Sequence, residues 1–528
     1  MHAYSTRPLI LNGFMATGKS TVGRLVAARR GVPFVDLDLE LEQRAGLSIP
    51  EWFATHGEAH FRALETQVLT ELLSEGGARV IAVGGGALLR RETRLLALDR
   101  AVVITLSADL QTLLGRAAAD PTQRPLFRGG PDAIARLLET RLVAYAEAHA
   151  QLDVSQDSPA AVAEAADAIW TRDPIGVAAG LESYSVEIGN ELLATRLSAE
   201  LVGASAALMI TDTNVDPLYG AVVRRAMQVA GHTPTTFRLT PGEEHKNPGT
   251  LAQIWEGCLA AGLDRKSRLV GLGGGVTTDV TGFAAATWMR GISWYSCPTT
   301  LLGMVDASVG GKTAVDLPGA KNCVGAFWQP TAVFCDISML RSEPDRGFRS
   351  ALAEVVKTAL IGDAPLFELL EREAGRVGER DSEMSLELVR RCIAVKARVV
   401  SEDARESGIR ASLNLGHTIG HALEAHGGYG ALTHGEAVSL GLVAAMRVGV
   451  RLGHTPLELE ARVTRLLSAL GLPTDLSTQP LASAAGLLAN DKKRGGAHVQ
   501  FVLATEPGQI RFQKLALDQL QQITSTLA

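Results

Sequence analysis

The chain has 528 residues, enough for about three to four domains that each bury their own core. Apolar residues make up 46% and charged residues 20%, the ordinary balance of a soluble globular protein. Net charge is −6, Lys and Arg are scattered and only 5% of residues are aromatic, so neither a basic nucleic-acid stripe nor a stacking platform is expected.

The five cysteines, Cys258, Cys297, Cys323, Cys335 and Cys392, are odd in number and form no C-x-x-C pair, which points to reduced thiols and a cytoplasmic location. The apolar stretch near the start is broken by glycine and lysine, and no run approaches the ~18 residues of a membrane span. No membrane partner is expected.

In chain order, residues 8 to about 170 alternate short apolar runs (PLILNGF, VPFVDLD, ARVIAVGGG, AVVITLS) with helical stretches, the pattern of a parallel α/β sheet. Residues 13–20, G-F-M-A-T-G-K-S, fit G-x-x-x-x-G-K-[ST] between a strand and a helix. Backbone N–H groups and the helix N-terminus meet nucleotide phosphates there, Lys19 reaches the β/γ oxygens and Ser20 holds Mg²⁺. The expected ATP-binding set is Gly13, Ala16, Thr17, Gly18, Lys19, Ser20 and Thr21. Asp36 and Asp38 end the second strand, at the lip where open parallel sheets bind ligands. Arg62, the Gly84-Gly85-Gly86 floor, Arg124 and Arg141 suit a small hydroxylated carboxylate, since a guanidinium forks onto a carboxylate while an aspartate grips hydroxyls.

The loop, D-L-D, F-R-x-L-E, G-G-G and R-P-L together resemble shikimate kinase over residues 8 to about 170. The resemblance implies Lys19, Asp38 and Arg124 as catalytic groups, Arg124 closing over ATP from a lid, and Ser20 with Asp36 at Mg²⁺. It assigns Asp38, Arg62, Gly85 and Arg141 to shikimate. Ala16 and Val143 depart from the family's glycine and proline, which implies altered loop or lid stiffness with activity retained.

An alanine-rich helix (AAVAEAADAIW) is expected to close a first domain over 1–172, with residues 173–180 as linker. Strand-like runs restart (YSVEIG, AALMITD, PTTFRLT, RLVGLGGG, SWYSCPTT, AVFCDIS), giving an α/β domain over 181–345. Residues 346 to about 490 carry apolar positions at helical spacing and no strand until HVQFVLAT, so 346–528 reads as a mainly helical domain. A cleft between two such domains is a favoured ligand site.

His417 and His421 stand four residues apart on one helix face, and spacing alone nominates both as zinc ligands. His434 follows near a loop, and Glu354 lies upstream with Lys357 on the same face. G-L-G-G-G-V-T-T-D ends a strand and admits a pyrophosphate, although Val276 replaces the third small residue of a dinucleotide fingerprint.

P-T-T-L-L-G-M-V-D-A-S-V-G-G-K-T, P-G-A-K-N, A-E-V-V-K and the histidine segment resemble 3-dehydroquinate synthase over about 181 to 510. The resemblance makes Glu354, His417 and His434 the metal ligands for Zn²⁺ or Co²⁺ and moves His421 to the substrate. It implies NAD at Asp212, Asn214, Glu243, Lys246, Gly274, Gly275, Asp279, Thr299, Thr300 and Lys321. The phosphorylated heptulosonate would meet Asp306, Lys312, Asn322, Lys357, Lys396, Arg410, Asn414, His421 and His434, with Asp306, Lys312, Lys357 and His421 catalytic. Arg290 would reach across a homodimer to the partner's substrate phosphate.

The expectation is therefore a fusion of two enzymes, one phosphorylating shikimate, the other converting 3-deoxy-D-arabino-heptulosonate 7-phosphate to 3-dehydroquinate with NAD used but not consumed. A related sugar-phosphate cyclase or a metal-dependent polyol dehydrogenase is the rival for the second half. A gluconate or nucleotide kinase, or a non-catalytic module, is the rival for the first.

Overall fold

The computed structural model describes residues 6–118, 130–406, 408–427, 431–488, 494–495 and 498–527, in two compact units, Met1–Glu187 and Ile188–Ala528. Among the described residues no helix is long and apolar enough to cross a membrane.

In the first unit, β1 (Leu9–Gly13), β2 (Phe34–Asp36), β3 (Val80–Ala82), β4 (Val102–Ser107) and β5 (Ala150–Asp153) form a parallel sheet in the order β2-β3-β1-β4-β5. Period-2 geometry sends Ile10, Ile81 and Val103 into the core on one face and Leu9, Leu11, Val80, Val102 and Ile104 into the core on the other. Both faces are covered, which is why these strands read as unbroken apolar runs. The closing helix Pro159–Arg172 brings Trp170, fully buried, onto the second face.

Residues 173–180, expected as linker, are not one. β6 (Ile175–Val177) is buried throughout and pairs antiparallel with β7 (Tyr184–Gly189), and Ala178 joins the first unit's core. The division between units falls after Glu187. Proline and glycine read as a linker in the sequence, and a three-residue strand is too short to show a period.

The second unit opens with the parallel strands β8 (Ala207–Asp212), β9 (Thr236–Leu239), β10 (Arg268–Gly273), β11 (Ser293–Pro298) and, after an antiparallel hairpin of β12 (Lys312–Leu317) and β13 (Ala320–Phe327), β14 (Ala332–Asp336). The parallel strands run β14-β11-β10-β8-β9. No strand occurs among the described residues 346–488. β15 (Arg494–Gly495), β16 (His498–Glu506) and β17 (Gln509–Ala516) then form a small antiparallel sheet.

Two helices of this unit, His417–His426 and His434–Arg451, pack backbone against backbone. A Cβ at Gly441 would stand 1.9 Å from the Gly416 carbonyl oxygen, and one at Gly420 2.8 Å from that of Ala437. That approach brings the first residues of both helices, His417 and His434, into one place. Gly441→Ala should force the helices apart and lower stability by about 1–3 kcal/mol, the usual cost of overpacking. Calorimetry should show the second unit's transition moving down while the first unit's stays. An unmoved transition would contradict the close contact.

Candidate active sites

Gly13 ends β1 at φ 131°, where a Cβ would sit 2.2 Å from the Leu106 carbonyl oxygen, and Gly18 (φ 87°) starts the helix Lys19–Arg30. Between them Ala16 takes φ 63°, a left-handed conformation that favours glycine. Its departure from the family pattern therefore strains the loop backbone without removing a polar group. Thr17 Oγ1 donates to the Phe14 carbonyl at 2.8 Å, and Lys19 Nζ donates to the carbonyls of Gly13 and Phe14, both at 2.9 Å. Ser20 Oγ donates to Asp36 Oδ2 at 2.7 Å, so the two expected Mg²⁺ groups meet. Thr21 is exposed on the first turn. Arg124 lies outside the described residues, and Val143 is 47% exposed.

The acceptor floor is equally tight. A Cβ at Gly84 would lie 2.7 Å from Asp38 Oδ1 and 3.1 Å from Glu65 Oε1, and one at Gly86 would lie 2.5 Å from Arg62 Nη2. The Gly85 carbonyl accepts Arg141 Nη1 at 3.0 Å and the Tyr145 hydroxyl at 2.7 Å. Asp38, Arg62, Gly85 and Arg141 are thus brought together. Sequence reasoning did not assign Glu65 or Tyr145. The signal for Glu65 was its place three residues after Arg62 on a helix, and Arg62 Nη1 donates to Glu65 Oε2 at 2.6 Å.

Burial pushes the Glu65 carboxyl up to about 7, outweighing the Arg62 guanidinium beside it. The folded state therefore binds this proton more tightly than the unfolded chain, and stability falls as pH rises from the ordinary carboxylate range to about 7. Glu65→Gln should remove about 2–3 kcal/mol of the stability difference between acid and mildly alkaline solution. Unfolding of the native and variant chains at pH about 5 and about 8 measures it. Identical losses in both chains would mean that Glu65 ionises normally.

In the second unit, Glu354 lies mid-helix in Asp345–Gly362, while His417 and His434 open their helices after Gly416 (φ 79°) and the capping box of Thr433 and Glu436. His417 Nε2 lies 3.3 Å and His434 Nε2 3.4 Å from Glu354 Oε1, and the three ligand atoms all fall within 4.8 Å of one another. His417 Nδ1 lies 3.2 Å from the Leu415 carbonyl, which can only accept, so the proton belongs on Nδ1 and the Nε2 lone pair faces the cluster. His434 Nδ1 is backed by Glu424 at 3.7 Å. One carboxylate and two outward-backed imidazoles fit a divalent ion of the zinc or cobalt type with open positions. His421, exposed, instead groups with Glu424 and His434, its ring centroid 5.1 Å from that of His417.

Around this cluster, Lys357 pairs with Glu354, both buried. Lys396 Nζ contacts Asp306 Oδ1 at 2.6 Å, and despite burial Lys396 and Lys357 hold that carboxyl down at about 2. Arg410, 2% exposed, donates to the carbonyls of Ala404 at 2.6 Å and Gly310 at 3.0 Å. Glu406, which no sequence signal singled out, accepts from Lys312 Nζ at 2.5 Å and from Asn414 Nδ2 at 3.2 Å.

The nucleotide candidates split. Asp212 accepts the backbone N–H groups of Asn214 at 2.8 Å and Val215 at 2.9 Å, Gly274 caps the helix Gly275–Thr287, and Thr299 N donates to the Gly273 carbonyl at 2.9 Å. A Cβ at Gly274 would lie 3.4 Å from Thr300 Cγ2. These residues gather at the carboxyl ends of β8, β10 and β11, where open sheets take ligands. Lys246 Nζ donates to Asp279 at 2.5 Å and to Asn322 Oδ1 at 2.6 Å, with Glu243 at 4.0 Å. Asn322, expected at the substrate, therefore sits with expected NAD groups. Lys321, expected at NAD, contacts Glu424 at 2.8 Å beside the histidines. Arg290 is exposed in a turn where Met289 (φ 51°) and Arg290 (φ 66°) are both left-handed.

Residues 15–170 match the shikimate kinase family model. Residues 236–350 match the 3-dehydroquinate synthase N-terminal model and 351–494 the C-terminal one. The chain is 44% identical over 312 residues to 3-dehydroquinate synthase of Pelobacter propionicus, covering 59% of this chain and 87% of that protein. It also resembles the solved structure of a 2-deoxy-scyllo-inosose synthase complexed with carbaglucose-6-phosphate, NAD+ and Co2+ (25% identity, TM-score 0.60, covering 67% of this chain and 99% of that one). ValA, a 2-epi-5-epi-valiolone synthase from Streptomyces hygroscopicus with NAD+ and Zn2+ bound, is 27% identical at TM-score 0.60, covering 65% and 96%.

Proposed function

We propose a residue-level division of labour from one premise: this chain belongs to the 3-dehydroquinate synthase family and carries a shikimate kinase domain ahead of the synthase. It is a bifunctional enzyme that phosphorylates shikimate with ATP and converts the heptulosonate phosphate to 3-dehydroquinate with release of phosphate.

In the kinase, Lys19 and Arg124 neutralise the charge of the transferred phosphoryl group. Ser20 and Asp36 would hold Mg²⁺, which would supply positive charge to offset that of the phosphates. Arg62 and Arg141 fork onto the shikimate carboxylate, and Asp38 orients the attacking hydroxyl.

For the synthase, the observation that carries the reading is the convergence of Glu354, His417 and His434 beside buried Lys357, Lys396 and Arg410. Glu354, His417 and His434 would hold a Zn²⁺ or Co²⁺ ion, which supplies Lewis-acid chemistry, and Asp212, Gly274, Gly275, Thr299 and Thr300 would hold NAD, which supplies reversible hydride transfer. Lys312, Lys357, Lys396, Arg410 and Asn414 hold the substrate's phosphate and carboxylate, and Asp306 keeps Lys396 aimed inward. His421, at the exposed rim, handles protons at the leaving phosphate. Glu406 holds Lys312 and Asn414 in register until the substrate replaces it. The 44% identity to a 3-dehydroquinate synthase favours this reaction over the other cyclisations that the fold supports.

Lys19→Ala should abolish shikimate phosphorylation and leave dehydroquinate formation intact, and Glu354→Ala should do the reverse. Loss of both reactions from either change in a folded chain would refute two independent sites. The synthase should need NAD yet accumulate no reduced nicotinamide absorbance during turnover. Steady NADH release from a simple polyol would support a dehydrogenase instead. Chelation should stop the synthase reaction and Zn²⁺ or Co²⁺ restore it.

The synthase half forms a homodimer in which Arg290 serves the neighbouring site, a role consistent with its exposed, strained turn. Mixed Arg290→Ala and His421→Ala chains should regain up to about a quarter of native activity after subunit exchange. No recovery despite verified exchange would confine Arg290 to its own subunit.

A further inference from the structure

Glu147 directly follows the helix Gly130–Ala146 that carries Arg141 and Tyr145, and it is fully buried. Its Oε2 accepts Arg94 Nε at 2.6 Å, and its Oε1 accepts Arg91 Nη1 at 2.6 Å and the backbone N–H of Gly180 at 3.2 Å. Arg94, 4% exposed, donates through Nη1 to the carbonyls of Leu88 at 2.6 Å and Leu89 at 2.9 Å. Those carbonyls belong to the turn that leaves the triglycine floor, where Ala87 N donates to the Gly84 carbonyl at 3.0 Å and Leu89 N to that of Gly86 at 3.2 Å. One carboxylate therefore touches three things: the brace of the floor, the end of the helix whose Arg141 and Tyr145 grip Gly85, and the segment that follows β6. Ala178, in that segment, has no exposed surface and packs into the first unit's core.

We propose that Glu147 is a positioning residue for the shikimate acceptor site, and that the junction around Gly180 is a working part of the kinase. The inference rests on the acceptor site proposed above. Arg94 can hold the floor turn only while its own charge is matched. A neutral amide in place of the carboxylate leaves a buried guanidinium without its anion, and the guanidinium must move. Arg141 and the floor then lose their mutual register, although neither has been altered. The ATP loop meets the acceptor side at Phe14, which packs with Tyr145 and lies 5.7 Å from the Arg141 guanidinium.

The test uses the full chain. Glu147→Gln should raise the KM for shikimate about tenfold, leave the KM for ATP within about twofold and leave dehydroquinate formation unchanged. Glu147→Asp, which keeps the charge, should recover part of the loss. Gly180→Ala tests the junction by backbone strain alone, because φ is +66° and nothing lies within 4 Å of the added Cβ. It should shift the shikimate KM in the same direction. Gly203→Ala, at φ +81° and equally open in the second unit, is the matched control and should shift nothing. Parallel changes in both KM values, or a fall in kcat that merely follows the folded fraction, would overturn the proposal. So would a Gly180→Ala chain indistinguishable from the control. Failure of the native chain to phosphorylate shikimate would instead sink the acceptor reading itself.

Discussion

The second unit is organised by one buried carboxylate. Glu354 has no exposed surface, and an ionised carboxylate removed from water costs several kcal/mol unless matching charge surrounds it. Lys357, one turn along the same helix, supplies part of that match, and the two imidazoles from other helices complete a donor set for a cation that would supply the rest. Bringing those imidazoles in demands the glycine contacts at Gly416, Gly420 and Gly441. It also demands a clamp: Ser350 Oγ accepts the Gly435 N–H at 3.0 Å and bonds the Thr433 hydroxyl at 2.9 Å, one turn before Glu354. The packing of three helices and the chemistry of the site are thus one problem with one solution.

The kinase unit solves a different problem, the close approach of backbone to ligand groups. Gly13, Gly84 and Gly86 are open because any side chain there would strike a carbonyl oxygen, a carboxylate or a guanidinium. Strain is tolerated at Ala16, where a left-handed alanine stands in the phosphate loop. The charged groups of this unit come in braced sets, Ser20 with Asp36 and Arg62 with Glu65, so each is held before any ligand arrives.

What could be read from the sequence follows from how each feature is encoded. Parallel strands such as β1, β4, β8 and β10 are buried on both faces, and their unbroken apolar runs announce them. The hairpin of β12 and β13 escaped notice, because Lys321, Asn322 and Gly325 carry no alternating pattern and half its surface faces solvent. Residues inside compact motifs, among them Lys19, Asp36, Glu354 and His417, stood out. Tyr145, Glu406 and Glu424 did not, since each acts on a partner distant in sequence or reads as an ordinary helix-surface residue, and Glu65, although inside F-R-x-L-E, reads as a helix charge paired with Arg62. Helical spacing put His417 and His421 on one face, which is where they are. Spacing could not tell that Glu354 would arrive beside the first of them and Glu424 beside the second.

That last point is the sharpest place to test the structure. Two overlapping groups share His434: Glu354 with His417, and His421 with Glu424. Anomalous diffraction at the zinc absorption edge, from crystals of the zinc-loaded full chain, distinguishes them directly. The expected result is a single peak bonded to Glu354, His417 and His434, with His421 unligated. A peak bonded to His421 and Glu424, with the Glu354 carboxylate paired only to Lys357, would contradict it.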